Sequence, residues 1–307
     1  MSAKQLLRLT LIFAVLLVLW GAAALASRRE GVPHGEAFRL PSVARAGVDT
    51  VLLERARDTT VLARMDTSAW TVNGHPAAPQ ALEALFAALA DTTARSELVA
   101  ERRASHAALG VDSAGGTHVR VRGGGRTLAD FVVGHRAPDF SGGYVRLADK
   151  EPTYLVRGQL AEVMNRMPND WRDRRIASVQ PDSVAAIEVS RGARRYTLRH
   201  TAGGWKLIPG GAADSAGAVE LVAAYRTLEA SDFAPQAQAD SAGFDRPDRR
   251  TRLLRKDGTP ILTLLFDSTA AGYWVRPDTG TTVYRIETWT ADRLAPADST
   301  LRASAGR

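Results

Sequence analysis

Short runs in which apolar and polar residues alternate dominate the body of this chain, and they predict β-strands. Residues 50–64 contain two such runs joined by a polar turn, and a third run begins at Trp70. Side chains two residues apart in a strand share one face of the sheet. We therefore expect Val51, Leu53, Val61 and Trp70 to face a core.

Apolar residues spaced one helical turn apart predict one amphipathic helix in each half of the body. They are Leu82, Leu85, Phe86 and Leu89 in the first helix, and Val219, Val222, Tyr225 and Leu228 in the second. Pro79 stands where the first helix begins, a position at which its missing N–H costs no hydrogen bond. Each helix is expected to pack its apolar stripe on a neighbouring sheet.

Glycine-containing turns divide most of the remaining body into hairpins. Residues 117–134 and 250–266 each contain two alternating strands, with turns at Gly123–Gly125 and at Gly258. Residues 143–166 add a further hairpin followed by a short helix. The strands are therefore expected to pair antiparallel with their neighbours along the chain.

The whole pattern occurs twice, in residues 50–158 and again in residues 184–288. The matching aromatic pairs are Trp70 with Trp205, Tyr144 with Trp274, and Tyr154 with Tyr284. Solenoid repeats span only ~20–50 residues, so a repeat of this length indicates a duplicated domain. Residues that occur in only one copy are where a local function is expected.

An antiparallel sheet that carries one main helix, present twice in tandem, belongs to the α+β class. The predicted boundaries are a linker over residues 28–48, a first repeat over 49–167, a joint over 168–182 and a second repeat over 183–302.

Residues 9–26 are uncharged and apolar, and they predict a transmembrane anchor or a signal peptide over residues 1–27. A segment of this length just crosses a hydrocarbon core of ~30 Å. The small residues before the Ala26–Ser27 bond also fit signal-peptide cleavage. We expect the body to lie outside the cytoplasm. It is either held at the inner membrane by this single anchor, or secreted or periplasmic after cleavage.

Composition narrows the function classes. The net charge is +7, and all but four of the 40 lysine and arginine residues are arginine. A nucleic-acid-binding protein would concentrate such charge in one patch, so we expect no nucleic-acid partner. The chain has no cysteine, which excludes thiol catalysis and thiolate metal sites. The histidines lack zinc-hydrolase spacing, and no metal site or cofactor is predicted.

One loop between two predicted strands collects the candidate functional residues His135, Arg136, Asp139, Ser141 and Tyr144. A histidine, a carboxylate and a hydroxyl are the groups that a hydrolytic nucleophile requires. The sequence "DFSGG" lacks the first glycine of the G-x-S-x-G elbow. The alternative is a turn in which Asp and Ser bond their own backbone. The second copy lacks the histidine and the arginine, so the scaffold does not need them, and this loop is the first place to look for a site. No residue is assigned as catalytic.

Other polar features have simpler interpretations. His118 and His200 are expected to be solvent-exposed on strand faces. Six Asp-Ser pairs, at Asp112, Asp182, Asp214, Asp240, Asp267 and Asp298, are typical of turns and caps. Two arginine runs predict solvated faces or, alternatively, a groove for an anionic polymer. They comprise Arg172, Arg174 and Arg175, and Arg249, Arg250, Arg252 and Arg255.

The body resembles the bacterial family labelled domain of unknown function 4340. The features that carry the resemblance follow the N-terminal apolar segment and the early hairpin. They are "WTVNG" at 70–74, "LGVD" at 109–112, "VGHRAPDFSGGYVR" at 133–146, "TYLV" at 153–156 and "WRDRRI" at 171–176. The resemblance covers residues 49–302. It implies a membrane-anchored extracytoplasmic protein, encoded in many bacteria beside ABC-exporter components of the gliding-motility type. It carries over no catalytic residues.

Three functions follow as hypotheses. The first is a non-enzymatic, membrane-anchored accessory protein that binds the permease or ATPase subunits of an ABC-type transport complex. The second is an envelope hydrolase that uses His135, Asp139 and Ser141. The third is a binding module for anionic envelope polymers.

Overall fold

The computed structural model describes residues 38–303, except residues 42, 68, 92 and 93. The predicted anchor or signal segment lies outside the described residues. The chain divides into unit 1, which ends at Trp171, and unit 2, which begins at Arg172. Both are mixed α and β structures with antiparallel sheets and few helices. No helix in the described part of the chain combines the length and apolar character that a membrane crossing requires.

Unit 1 contains one antiparallel sheet of nine strands. The strands are β1 Thr50–Glu54, β2 Thr59–Arg64, β3 Trp70–Val72, β4 His75–Pro76, β5 Ser96–Ala100, β6 Thr117–Gly123, β7 Arg126–Arg136, β8 Gly142–Leu147 and β9 Thr153–Arg157. Their order across the sheet is β4-β3-β2-β1-β6-β7-β8-β9-β5. The helices are α1 Pro79–Ala90, α2 His106–Leu109 and α3 Leu160–Met164, with 3-10 turns at Arg45–Gly47, Arg103–Ser105 and Pro168–Trp171.

Unit 2 contains a second antiparallel sheet of nine strands. They are β11 Ala186–Arg191, β12 Arg194–Thr201, β13 Gly204–Ile208, β14 Gly211–Ala212, β16 Asp232–Phe233, β17 Arg249–Leu254, β18 Pro260–Thr269, β19 Gly272–Pro277 and β20 Tyr284–Ile286. A separate pair joins β10 Arg175–Ala177 to β15 Leu228–Glu229. The helices are α4 Ser215–Ala223, α5 Gln236–Ser241 and α6 Thr288–Leu294, with 3-10 turns at Pro181–Ser183 and Asp298–Leu301. The strand order is β14-β13-β12-β11-β17-β18-β19-β20-β16, the same path as in unit 1.

Alternation along the strands buries one face of each sheet, as predicted for Val51, Leu53 and Trp70. The prediction for Val61 was wrong, because Thr60 and Leu62 are the buried residues of β2. The register explains the difference, since Leu62 lies opposite Val51 and Thr60 lies opposite Leu53. The sheet face opposite the core is called the outer face below.

The first predicted helix is confirmed: α1 begins at Pro79 and buries its apolar stripe. The second is shorter than predicted and turns a different side to the core. Val219 is 59% exposed, while Ala218, Leu221 and Val222 are buried. The helix begins at Ser215 because the Asp214 carboxylate accepts the N–H groups of residues 216 and 217. Tyr225 and Leu228 are buried beyond the end of α4.

Residues predicted as linker and joint contribute to the cores. In the described part of 28–48, Val43 and Val48 are buried in unit 1. Within 168–182, Trp171 is fully buried in the core of unit 1, and Ile176 is buried in the core of unit 2.

An arginine at the end of β1 in unit 1, and another at the end of β11 in unit 2, tie these strands to a helix end. In unit 1, Arg55 donates to the carbonyls of Met164 and Arg166 at the end of α3, at 3.0 and 2.5 Å. It also binds Thr117 at 3.1 Å and Asp58 at 2.8 Å. In unit 2, Arg191 reaches the Ala295 carbonyl and the Asp292 carboxylate of α6. Cationic donors satisfy carbonyls that the end of a helix leaves unpaired.

Replacing Arg55 by alanine is expected to destabilise unit 1 by about 2–4 kcal/mol, because several largely buried acceptors lose a charged donor together. Arg57→Ala is the matched control, since that side chain is exposed and should change stability by less than about 0.5 kcal/mol. Hydrogen exchange of peptides from β1, β6 and α3 measures the effect in unit 1 separately. Equal exchange rates in the two variants would contradict the assigned role.

Candidate functional site

The predicted functional loop connects β7 to β8 as a tight turn. The Ala137 N–H donates to the Gly142 carbonyl, and the Phe140 N–H donates to the Ala137 carbonyl, both at 2.9 Å. Phe140 adopts a φ of +57° and its side chain is 72% exposed. The turn therefore presents an aromatic ring to solvent between the candidate polar residues.

Asp139 and Ser141 bind each other directly within this turn. The Ser141 hydroxyl donates to Asp139 Oδ1 at 2.8 Å, and the Ser141 N–H donates to the same oxygen at 3.1 Å. Arg157 donates to Ser141 Oγ at 2.7 Å and lies 3.7 Å from Asp139 Oδ2. The two hydrogen bonds from Ser141, and then the Arg157 charge, lower the pKa of Asp139. An ionised carboxylate held in this way favours the turn interpretation.

His135 lies apart from that pair. Its exposed ring packs over the backbone of Gly110, where an added Cβ would come within 2.5 Å of the ring. Gly110 ends α2 with a φ of +67°, a conformation that glycine adopts without steric cost. Among the described residues, no hydrogen bond joins His135 to Asp139 or Ser141. Nucleophilic catalysis needs the base within hydrogen-bond reach of the hydroxyl, and this structure does not bring the two together.

The remaining candidates serve other contacts. Arg136 pairs with Glu162 at 3.1 Å, and its guanidinium lies 5.5 Å from the centre of the Phe140 ring. Tyr144 is half-buried in β8, on the face opposite the buried Val145. The predicted loop is thus a compact polar turn held by Arg136 and Arg157.

The outer face of unit 1 carries an ionic cluster that the sequence did not predict. His118 Nε2 lies 2.5 Å from Asp130 Oδ1, and its Nδ1 lies 3.6 Å from Glu54 Oε2. Arg120 donates to the same Glu54 carboxylate. His118 was expected to be solvent-exposed; its side chain is 35% exposed and contacts these two carboxylates. The alternation of polar residues along β6 indicated that His118 and Arg120 share one face of the sheet. Which carboxylates lie beside them depends on the register with the neighbouring strands, and the sequence of one strand does not determine that register.

A polar cavity of about 600 Å³ lies between the "LGVD" segment and the end of β8. Its lining includes the buried His106, whose Nε2 lies 2.7 Å from the Glu151 carbonyl oxygen. Arg146 also lines it and donates to the Val111 and Ala148 carbonyls at 2.8 and 2.9 Å. Burial lowers the pKa of Arg146. The side chains of His106 and Arg146 are thus both bonded to backbone carbonyl groups, and they hold the "LGVD" segment against the end of β8.

The arginines of β17 divide between the two faces of the second sheet. Arg249 is buried on the core face, where it lies 2.7 Å from Asp292 and donates to the Tyr273 hydroxyl at 2.8 Å. Arg250 and Arg252 lie on the outer face and line a cleft of about 660 Å³. A cleft lined by two arginines partly supports the hypothesis of a groove for an anionic polymer. The alternation along β17 alone could not distinguish such a groove from a solvated face.

The turn interpretation of the Asp-Ser pairs is confirmed where the carboxylate accepts a backbone N–H. Asp112 accepts from Gly115, three residues away, at 2.8 Å. The interpretation was wrong for Asp267, which lies within β18 and accepts from Gly243, 24 residues away, at 3.0 Å. His200 is exposed as predicted, with its ring centroid 4.9 Å from that of Trp205. Across the described residues, no group of three or more histidine, aspartate or glutamate side chains is placed to hold a metal ion.

Comparison with known proteins gives one match. A family model described as "Domain of unknown function (DUF4340)" matches residues 70–247, which is more than half of the chain. Neither a curated protein nor a solved structure shows a significant match to the chain.

Gly110→Ala is expected to destabilise unit 1 by about 1–3 kcal/mol, because it adds strain at positive φ and a clash with the His135 ring. Adding His135→Ala should recover only part of the loss, since the clash disappears and the backbone strain remains. Gly47→Ala is the control, since its Cβ would enter open space. Denaturant unfolding of these three variants and of the single variant His135→Ala measures the coupling between the two positions. Strictly additive losses would argue against packing of His135 on Gly110.

Ser141→Ala is expected to raise the pKa of Asp139 part of the way towards the usual aspartate value of about 3.9. The substitution removes the hydroxyl bond that stabilises the carboxylate, while the backbone N–H bond remains. The pKa of Asp139 is lower in the folded protein than in the unfolded chain. The ionised carboxylate therefore stabilises the fold at pH values above the unfolded-state pKa. This stabilisation is lost as the pH falls through the folded-state pKa. Carboxyl carbon NMR measures both titrations. A wild-type pKa above the usual value would fit a general acid and contradict the turn.

Proposed function

From the premise that this chain belongs to the family of domain of unknown function DUF4340, we propose that it is a membrane-anchored extracytoplasmic protein that acts by binding a partner. The proposed partner is an ABC-type transport complex, which comprises permease and ATPase subunits. The choice of partner rests on the family resemblance described above. The location rests on the apolar residues 9–26, which lie outside the described residues.

The observation that supports a non-enzymatic role most directly is the arrangement of the predicted loop. Asp139 accepts both hydrogen bonds from Ser141, and Arg157 donates to the Ser141 hydroxyl oxygen. The ring of His135 packs on Gly110 instead. A hydrolase that uses a Ser-His-Asp triad requires the histidine between the carboxylate and the hydroxyl. The hydrolase hypothesis would therefore need the turn to open and His135 to leave its position.

The tandem repeat is part of the same proposal. We infer that one domain was duplicated, because the two sheets share both strand order and register. Val51 lies opposite Val121 in the first sheet, and Ile187 lies opposite Leu253 at the same place in the second. Each repeat presents a broad outer face on a rigid sheet. Such faces are suited to partner binding, because surface residues can change while the core alternation is kept.

The test is a native pull-down of the tagged full-length chain from detergent-solubilised membranes, with bound proteins identified by mass spectrometry. We expect the chain in the membrane fraction together with ABC permease or ATPase subunits. Recovery of the chain alone, in the soluble fraction and beginning at Ser27, would contradict both the anchoring and the partner.

The variant His135→Ala/Ser141→Ala serves as the control for catalysis. It should recover the same partners and preserve the cellular phenotype, because neither side chain is proposed to act on a substrate. A lost phenotype with the partners still bound would favour the hydrolase hypothesis.

A further inference from the structure

A basic cleft opens on the outer face of the second sheet. It has a volume of about 660 Å³, which is within the range of small-ligand sites, ~300–1,000 Å³. Its lining includes Arg195 from β12, Arg250 and Arg252 from β17, and Arg246 from the segment before β17. Glu188 is the single acidic residue that lines it.

Most of this positive charge has no internal partner. Arg252 lies 3.7 Å from Glu188 Oε2, so the single carboxylate of the cleft is already shared with one arginine. Among the described residues, no ion pair or side-chain hydrogen bond engages Arg195, Arg246 or Arg250. All three of those side chains are exposed. The cleft therefore holds about three uncompensated positive charges.

The strand register places two of these arginines beside the same serine. Ser190 of β11 lies opposite Arg195 on one side and opposite Arg250 on the other. Neighbouring strands lie ~4.8 Å apart, so the two arginine Cα atoms are about 10 Å apart across β11. Flexible side chains of this length can converge above Ser190 on one anion.

The first sheet provides an internal comparison for this arrangement. Glu54 lies at the place of Ser190, with Thr59 and His118 opposite it where the second sheet has Arg195 and Arg250. In unit 1 the outer face is neutralised from within, since Glu54 pairs with Arg120 and His118 contacts Asp130.

The second sheet has no carboxylate at the positions of Glu54 and Asp130. Arg252 corresponds to Arg120, and the residue opposite it is Thr263, where the first sheet has Asp130. The sheet of unit 1 has the same strand order and register without an arginine cluster, so the fold does not need the cluster. Like charges on neighbouring strands repel one another, so the cluster costs stability that an anionic ligand would recover.

We propose that this cleft binds a soluble ligand that carries clustered phosphate groups. Arginine presents a planar fork of N–H donors that matches phosphate oxygens in pairs. A concave site of this volume fits a small molecule, whereas a lipid surface would be met by a flat or convex basic face. The proposal goes beyond the accessory role and does not depend on it, because the cleft can be tested with no ABC component present.

The experiment titrates inorganic tripolyphosphate into the purified full-length chain in an uncharged detergent, by calorimetry. We expect saturable binding that weakens by at least about tenfold between about 50 mM and about 300 mM salt. Vesicles of anionic lipid are the second arm, and they should compete poorly. Absence of saturable tripolyphosphate binding, or binding to the vesicles alone, would overturn the proposal.

Substitutions inside and outside the cleft test whether the cleft is the binding site. Arg195→Thr/Arg250→His places the unit 1 residues at their equivalent positions, and we expect it to weaken binding by at least about tenfold. Glu188→Gln removes the competing carboxylate and should tighten binding by about two- to fivefold. Arg126→Gln, an exposed arginine of unit 1, should change affinity by less than about twofold.

Thermal unfolding checks that the variants remain folded, and relief of repulsion predicts an equal or higher Tm for the double variant. Equal affinity of the double variant and the wild type would place the binding elsewhere on the chain and contradict the proposal.

Discussion

Both units depend on one constraint: a strand in an antiparallel sheet sends alternate side chains to opposite faces. The buried face fixes the register, because a slip of one residue would expose every core side chain. Once the register is fixed, the neighbours on the outer face are fixed as well. The partners of Glu54 in one sheet and of Ser190 in the other follow from core residues that never touch them.

The outer faces then diverge without disturbing the scaffold. In unit 1, His118 and Arg120 are matched by carboxylates on adjacent strands. In unit 2, the corresponding positions carry Arg250, which forms an ion pair with no described residue, and Arg252, which lies 3.7 Å from Glu188. The β7–β8 turn shows the same freedom, since Asp139 and Ser141 close a local turn and His135 lies on Gly110. These differences support binding by unit 2 more strongly than catalysis by unit 1.

Much of the local structure could be predicted from the sequence, because it depends on short-range chemistry. Pro79 begins α1, and the glycine turns close the hairpins where expected. Predictions failed where tertiary packing decides between two apolar sides. Val61 and Leu62 are equally apolar, and pairing with Val51 selects Leu62. Val219 was assigned to the wrong side of α4 for a similar reason. The contacts of His118 and the basic cleft needed knowledge of which strands are neighbours, which the alternation of one strand does not contain.

The central claim is that the two sheets share one register while their outer faces differ, and the absence of cysteine makes it directly measurable. Directly opposed strand residues have Cβ atoms about 4.5–5.5 Å apart, close enough for a disulfide after small adjustments. Oxidation should cross-link Glu54→Cys/His118→Cys and equally Ser190→Cys/Arg250→Cys. The variants shifted by one residue, Glu54→Cys/Val119→Cys and Ser190→Cys/Thr251→Cys, should not cross-link. Cross-linking of a shifted pair instead of its matched pair would contradict the shared register and the assignment of the outer faces.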